Sequence, residues 1–95
     1  MKVQVTASAR KDVLAAALYY LEQSPELPSA FLGEVEDAYQ LISENPGIGS
    51  PTGDGNRKVV LQRFPFVVIY RLEVDVCLVL AVGHQKRRPE YWKSM

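Results

Sequence analysis

The sequence predicts an α+β domain with the element order β-α-α-β-β-β, in which a helical hairpin packs on a curved antiparallel sheet. The first half contains two stretches of helical periodicity, and each is stopped by a proline. The second half contains three runs rich in β-branched residues, joined by connections so short that only antiparallel pairing is possible. Ninety-five residues correspond to a single domain, which spans residues 1–95.

The chain opens with a short strand followed by a helix. Residues Lys2–Thr6 alternate between polar and apolar, with two valines on one face, which is typical of a half-buried strand. Ser8 is a suitable N-cap for a helix from Ala9 to Gln23, and Ser24-Pro25 ends that helix. We expect its apolar stripe to face the core. That stripe comprises Val13, Leu14, Ala17, Leu18 and Leu21.

A second helix starts at Leu27-Pro28-Ser29 and is stopped by Asn45-Pro46-Gly47. Apolar side chains recur along it at helical spacing, so the two helices are predicted to form a hairpin with a shared apolar face. The recurring residues are Phe31, Val35, Ala38, Tyr39 and Ile42. The segment from Gly47 to Asn56 has four glycines but matches no phosphate-binding motif, so it is interpreted as a connector.

Three strands are predicted over Arg57–Arg63, Phe66–Glu73 and Val76–Gly83. The run Val76–Val82 is apolar on both faces, so we expect the last strand to be central and covered. Strict alternation would divide this strand into two faces. One face would carry Val76, Leu78, Leu80, Val82 and His84, and the other Cys77, Val79, Ala81 and Gly83.

Composition limits the function classes. With 47% hydrophobic and 23% charged residues the chain is an ordinary folded domain, and one cysteine allows no internal disulfide, which suits a reducing cytoplasm. No secretory signal or membrane-spanning run is recognisable.

Charge is distributed unevenly along the chain. Residues 1–55 carry three cations against eight acids, and residues 56–95 carry eight cations against three acids. This asymmetry indicates an anionic partner for the second half, although a dipolar solvated surface would show it too.

Few residues are suited to chemistry. A single histidine, a single cysteine and no carboxylate cluster give no metal site and no cofactor site. His84 follows the last strand and can serve as a general base or as a structural polar residue. The cations of Lys86-Arg87-Arg88 precede Tyr91 and Trp92, a combination that suits single-stranded nucleic acid or an acidic peptide. Alternatively, Tyr91 and Trp92 pack back on the core.

Arg71 is predicted on a strand face that it shares with Val67 and Ile69. A guanidinium among apolar neighbours needs a partner or an opening to solvent. Glu73 or an acidic residue of the helices could provide that partner.

Several motifs occur in a familiar order. Tyr19-Tyr20 lies in the hairpin, and Asn45-Pro46-Gly47 follows it. Two longer motifs come later in the chain. They are Leu61-Gln62-Arg63-Phe64-Pro65-Phe66-Val67-Val68-Ile69-Tyr70-Arg71 and Leu80-Ala81-Val82-Gly83-His84-Gln85-Lys86-Arg87-Arg88-Pro89-Glu90-Tyr91-Trp92. Over nearly its whole length the chain resembles the RelE/ParE superfamily of toxins from bacterial type II toxin–antitoxin systems. The resemblance implies the fold deduced above.

The superfamily has two mechanisms, and the resemblance favours the ParE-like one. RelE-like members are ribosome-dependent mRNA endoribonucleases that use basic residues on the sheet and a C-terminal tyrosine. On that pattern Lys58 and Tyr91 match, but Val60, Val67 and Gln85 replace three basic positions, which would remove charge-assisted contacts to the phosphate. The chain is therefore not expected to be an enzyme. The residues of a ribonuclease site would be Lys58, Arg63, His84, Arg87 and Tyr91.

ParE-like members inhibit growth, are associated with poisoning DNA gyrase, and serve in plasmid stabilisation. The resemblance thus implies a cytoplasmic toxin neutralised by a cognate antitoxin, with operator DNA bound only through the antitoxin and no membrane partner. A homodimer and a hetero-oligomer with the antitoxin both remain open, as do a RelE-like ribonuclease and a non-toxic antitoxin-binding relative. The expected target-binding residues are Arg63, Arg71, Arg87, Arg88, Tyr91 and Trp92. The expected antitoxin-binding residues are Leu14, Leu18, Leu21, Phe31, Val35 and Tyr39.

Overall fold

Two helices pack on one face of a five-stranded sheet in the computed structural model, which describes residues 1–86. In chain order the elements are β1 (Lys2–Val5), α1 (Ala7–Gln23), α2 (Leu27–Glu44), β2 (Ser50–Pro51), β3 (Arg57–Val60), β4 (Phe66–Leu72) and β5 (Val76–His84). The predicted α+β class with a helical hairpin on the sheet is confirmed. The two-residue strand β2 is an addition within the segment expected to be a connector.

The strand order in the sheet is β1-β5-β4-β3-β2. Strands β2 to β5 form antiparallel pairs in succession, as their short connections require. β1 is the exception, because it runs parallel to β5, from Lys2 opposite Val76 to Val5 opposite Val79. A parallel pair needs a long crossover, and here both helices and the three intervening strands supply it. β5 therefore has a strand on each side, although β4 is the central strand.

Helix α1 begins two residues earlier than predicted because Thr6, and not Ser8, is its N-cap. The Thr6 hydroxyl accepts a hydrogen bond from the amide of Ala9 at 3.1 Å. The amide of Thr6 also donates to the carbonyl of Val79 at 3.1 Å, which attaches the start of the helix to β5.

The buried face of α1 differs from the predicted one. Its buried residues are Ala9, Ala16 and Ala17, with exposures of 0, 6 and 9%. The leucines predicted to face the core are instead exposed. Small side chains let a helix approach its neighbours closely, and α1 packs against both β5 and α2. The stripe prediction was wrong for Leu14, Leu18 and Leu21, because hydrophobicity was considered without side-chain size, whereas Ala17 is buried and Val13 packs against the core as predicted.

Helix α2 buries the face that its periodicity predicts. Phe31, Val35, Ala38 and Ile42 are all at most 6% exposed. Phe31 also belongs to an aromatic cluster, whose ring centroids lie 4.9 to 6.1 Å apart in tilted and edge-to-face arrangements. The cluster comprises Tyr20, Phe31, Phe64 and Phe66.

A β-bulge changes the faces of β5. Ile69 pairs with Ala81 but Tyr70 pairs with Val79, so Leu80 is an extra residue in the strand. Strict alternation therefore fails at this point. Cys77 and Val79 pack in the core together with Val82, although alternation assigns Val82 to the opposite face. Because His84 shares the face of Val82, it too lies on the helical side of the sheet.

The loop after α2 is anchored by a buried tyrosine. Tyr70 is 0% exposed, and its hydroxyl donates to the carbonyl of Pro46 at 2.7 Å and accepts from the amide of Gly49 at 2.9 Å. Arg57 donates to the carbonyl of Gly49 at 2.7 Å from the adjacent strand. This loop therefore has a fixed position over the edge of the sheet.

Candidate partner-binding surface

The outer side of α1 carries a row of exposed leucines. Leu14, Leu18 and Leu21 are 60, 53 and 51% exposed, and their i, i+4, i+7 spacing places them on one side of the helix. We call these three residues the leucine strip. Single exposed leucines are ordinary, but a contiguous apolar row on a helix is typical of a surface that another protein covers.

A groove between α1 and α2 lies beside the leucine strip. Its volume is about 360 Å³, and it is lined by Val5, Arg10, Val13, Leu32, Val35, Glu36 and Tyr39. Leu14 and Leu18 follow Arg10 at intervals of four residues, so the strip continues the α1 wall of the groove. On the α2 wall, Leu32 is 41% exposed. The strip and the groove together form a surface that can accept an elongated apolar segment.

The residues predicted to bind an antitoxin differ in exposure, and only some of them are on the surface. The three leucines are on the surface, and half-buried Tyr39 lines the groove. Phe31 and Val35 are 0 and 2% exposed and belong to the core, so neither is the exposed contact residue that was expected, although Val35 also lines the groove. Leu32 and Glu36 also line the groove and were not predicted, although Leu32, Glu36 and Tyr39 recur at helical spacing beside the predicted buried face.

Burial raises the pKa of Tyr39 to about 12, and the Glu36 carboxylate adds to this rise while Arg10 opposes it. As the pH rises, the unfolded chain loses the phenolic proton of Tyr39 near its ordinary pKa of about 10, whereas the folded protein keeps that proton to a higher pH. The stabilisation by Tyr39 is therefore complete below about pH 10 and is lost as the pH rises toward 12.

We predict that Tyr39→Phe reduces the alkaline loss of stability. Urea unfolding midpoints measured from about pH 9 upward should fall less steeply for the variant than for the wild-type protein, since phenylalanine has no proton to lose. Parallel curves for the two proteins would contradict this assignment.

His84 lies at a second concave surface, on the helical side of the sheet. A cavity of about 570 Å³ brings His84 together with Lys86, Asp12, Tyr19 and Phe66, among other residues. The His84 ring makes an edge contact with Phe66 at a centroid distance of 5.3 Å. Its Nδ1 accepts a hydrogen bond from the Lys86 amide at 3.1 Å, so a neutral ring carries its proton on Nε2.

Lys58 lies on the other face of the sheet. It pairs with Ile69, whose neighbours Val68 and Tyr70 face the core, so Ile69 and Lys58 point away from the helices. Val60 and Val67 pair with each other on that same outer face. The sheet therefore separates Lys58 from His84, and one phosphate cannot contact both.

The other residues predicted for target binding or for a ribonuclease site do not lie together. The Arg71 guanidinium pairs with Glu73 at 3.3 Å, one of the partners proposed for it. Arg63 lies in the loop after β3 and not in a strand, with its guanidinium carbon 5.8 Å from the Phe64 ring centroid. Gln85 is exposed in a turn. The remaining predicted site residues lie outside the described residues. They are Arg87, Arg88, Tyr91 and Trp92.

The described residues include no group of three or more histidine, cysteine, aspartate or glutamate side chains that could hold a metal ion. Neither helix of the described part is both long and apolar enough to cross a membrane.

Comparison with known proteins agrees with the fold. Residues 3–89 match the family model described as the ParE toxin of the type II toxin–antitoxin system, parDE. No curated protein is significantly similar in sequence. A solved structure of the chromosomal ParDE toxin–antitoxin system from P. aeruginosa superposes with a TM-score of 0.80 and 23% identity, over 88% of this chain and 95% of that chain. The family match covers most of the sequence, and the chain belongs to the ParE toxin family of type II toxin–antitoxin systems.

Proposed function

We propose that this ParE-type toxin inhibits growth by acting on DNA gyrase in the cytoplasm, and that an antitoxin neutralises it by covering the leucine strip and the adjoining groove. The exposed leucine strip carries the antitoxin part of the proposal. An apolar row of this length beside a groove suits an amphipathic helix, whose own apolar side chains recur at the same spacing. The gyrase part is supported by membership of the family.

The target would meet the cationic part of the surface. Arg63, Arg71 and Lys86 are exposed cations in the described part of the chain, and two further arginines follow them in sequence. Charged groups of this kind steer association with an anionic surface and fix its orientation. The opposite placement of Lys58 and His84 does not favour the ribonuclease alternative.

Induced expression in a bacterial host without an antitoxin tests the toxic function. We expect filamentous cells, induction of the DNA-damage response and inhibition of supercoiling by purified gyrase. Rapid arrest of translation with cleaved mRNA would contradict the gyrase proposal in favour of a ribonuclease, and normal growth would contradict toxicity altogether.

The same assay can test the target surface. We expect Arg63→Ala combined with Arg71→Ala to weaken growth inhibition, because both cations are assigned to the target. Lys2→Ala combined with Lys11→Ala removes the same charge from other exposed positions and is the matched control. Equal toxicity of the two double variants, at equal protein levels, would exclude Arg63 and Arg71 from the target contact.

A further inference from the structure

The two walls of the groove differ in charge. The α1 wall continues from Arg10 into leucines, whereas the α2 wall continues from Leu32 through Glu36, Gln40 and Glu44 at intervals of four residues. Over its full length α2 has four acidic residues and no lysine or arginine. Beyond Arg10 the α1 wall is therefore apolar, whereas the α2 wall combines apolar side chains with an acidic edge at Glu36 and Glu44.

Within residues 1–86, the acidic residues of α2 take part in no ion pair. Glu44 accepts a hydrogen bond at 2.9 Å from the neutral amide of Gln40. Arg10 is the cation that lines the groove, and its Nε donates to the carbonyl of Val5 at 3.3 Å, at the start of α1. The α2 wall therefore presents negative charge to whatever occupies the groove.

This charge distribution argues against a second copy of the chain as occupant. A symmetric contact that sets α2 of one copy against α2 of the other would bring two acidic edges together, which is unfavourable. A symmetric contact that sets α2 against α1 would place its carboxylates mainly beside leucines, which offer them no cation. An occupant with lysine or arginine along the edge facing α2 would instead be attracted to it.

We propose that the antitoxin segment that occupies this groove is a basic amphipathic helix. It places apolar residues at i, i+4 and i+7 against the leucine strip, and lysine or arginine side chains toward Glu36 and Glu44. This inference rests on the proposed antitoxin surface and adds the charge of the segment and its orientation. The apolar contact provides affinity, and the cations fix which edge faces α2.

Selection from a peptide library provides the test. Each displayed helix has leucine at i, i+4 and i+7 and either lysine or glutamate at every flanking position, and selection uses the full chain. We expect the selected peptides to have lysine on one flank, and to bind more weakly as the salt concentration rises. A selected peptide should bind about tenfold more weakly to a Glu36→Lys, Glu44→Lys variant.

Two controls separate the charge inference from the proposed function. Glu73→Lys with Asp75→Lys makes the same change of charge in the turn between β4 and β5, and should leave binding unchanged. A Leu18→Ser variant should fail to bind the selected peptides. Peptides that require Leu18 but show no lysine preference would overturn the basic helix and leave the antitoxin surface standing. Peptides that bind the wild-type and Leu18→Ser proteins equally, or no selected peptide at all, would overturn both.

Discussion

Replacing Leu14 and Leu18 together with glutamate should abolish capture of the antitoxin while the toxin stays folded. Both leucines are more than half exposed, so the substitutions should change the free energy of unfolding by about 0.5 kcal/mol or less each. At the centre of an interface each buried leucine can contribute about 2 kcal/mol, so the pair should weaken binding by roughly a thousandfold. Calorimetric titration with the protein encoded by the adjacent open reading frame would measure the loss.

Tyr19→Glu is the matched control for the leucine strip. Tyr19 lies on the same helix and is 58% exposed, but it lines the cavity near His84 and not the groove. Binding should therefore be retained in Tyr19→Glu and lost in Leu18→Glu. In cells, the leucine variants should remain toxic when the antitoxin is co-expressed. Undiminished affinity of the Leu14, Leu18 double variant would show that the antitoxin binds elsewhere.

Gly49→Ala should be the most damaging small substitution in the loop after α2. A Cβ atom at this position would lie 2.8 Å from the Tyr70 ring and hydroxyl and 2.9 Å from the backbone carbonyl of Lys58. Neither neighbour can move freely, because Tyr70 is fully buried and the Lys58 carbonyl belongs to β3. Overpacking and a disturbed Tyr70 hydrogen bond should together cost about 3 kcal/mol. We expect the Tm to fall by roughly 10–20 °C.

Gly47→Ala is the matched control for Gly49→Ala. Nothing lies within 4 Å of a Cβ added at Gly47, two residues earlier in the same loop. Its Tm should change by only a few degrees, about the effect of an ordinary surface substitution. Similar melting temperatures for the two alanine variants would show that contact with Tyr70 does not constrain Gly49.

The sequence predicts the fold class because the signals for helix and strand are local. Prolines stop both helices, and the apolar spacing of α2 identifies its buried face. The buried face of α1 could not be predicted in the same way. A hydrophobicity pattern ranks leucine above alanine, but the close approach of α1 to its neighbours also selects Ala9 and Ala16, which the pattern did not identify. Helix α1 has an exposed row of leucines as well as a buried face, and periodicity alone does not say which one is buried.

The position of His84 was unpredictable for another physical reason. Alternation predicts the face that a side chain occupies only while the strand register is unbroken. One extra residue at Leu80 reverses the faces of the residues that follow it in β5. The bulge moves Val82 and His84 to the helical side and so separates His84 from Lys58. By contrast, the pairing of Arg71 with Glu73 follows from their positions two residues apart near a turn.

The parallel pairing of β1 with β5 has a consequence for the order in which the protein forms during synthesis. Lys2 pairs with Val76, which is synthesised 74 residues later, so β1 has no neighbour in the sheet until then. The helices can form earlier, because their contacts are local and a chain emerges from its N-terminus. Until β5 is made, the strand that α1 packs against is absent, and the inner side of the hairpin is only partly covered. We therefore expect the nascent toxin to pass through an immature state in which the hairpin is incompletely covered, and in which an antitoxin already present could bind it before toxicity develops.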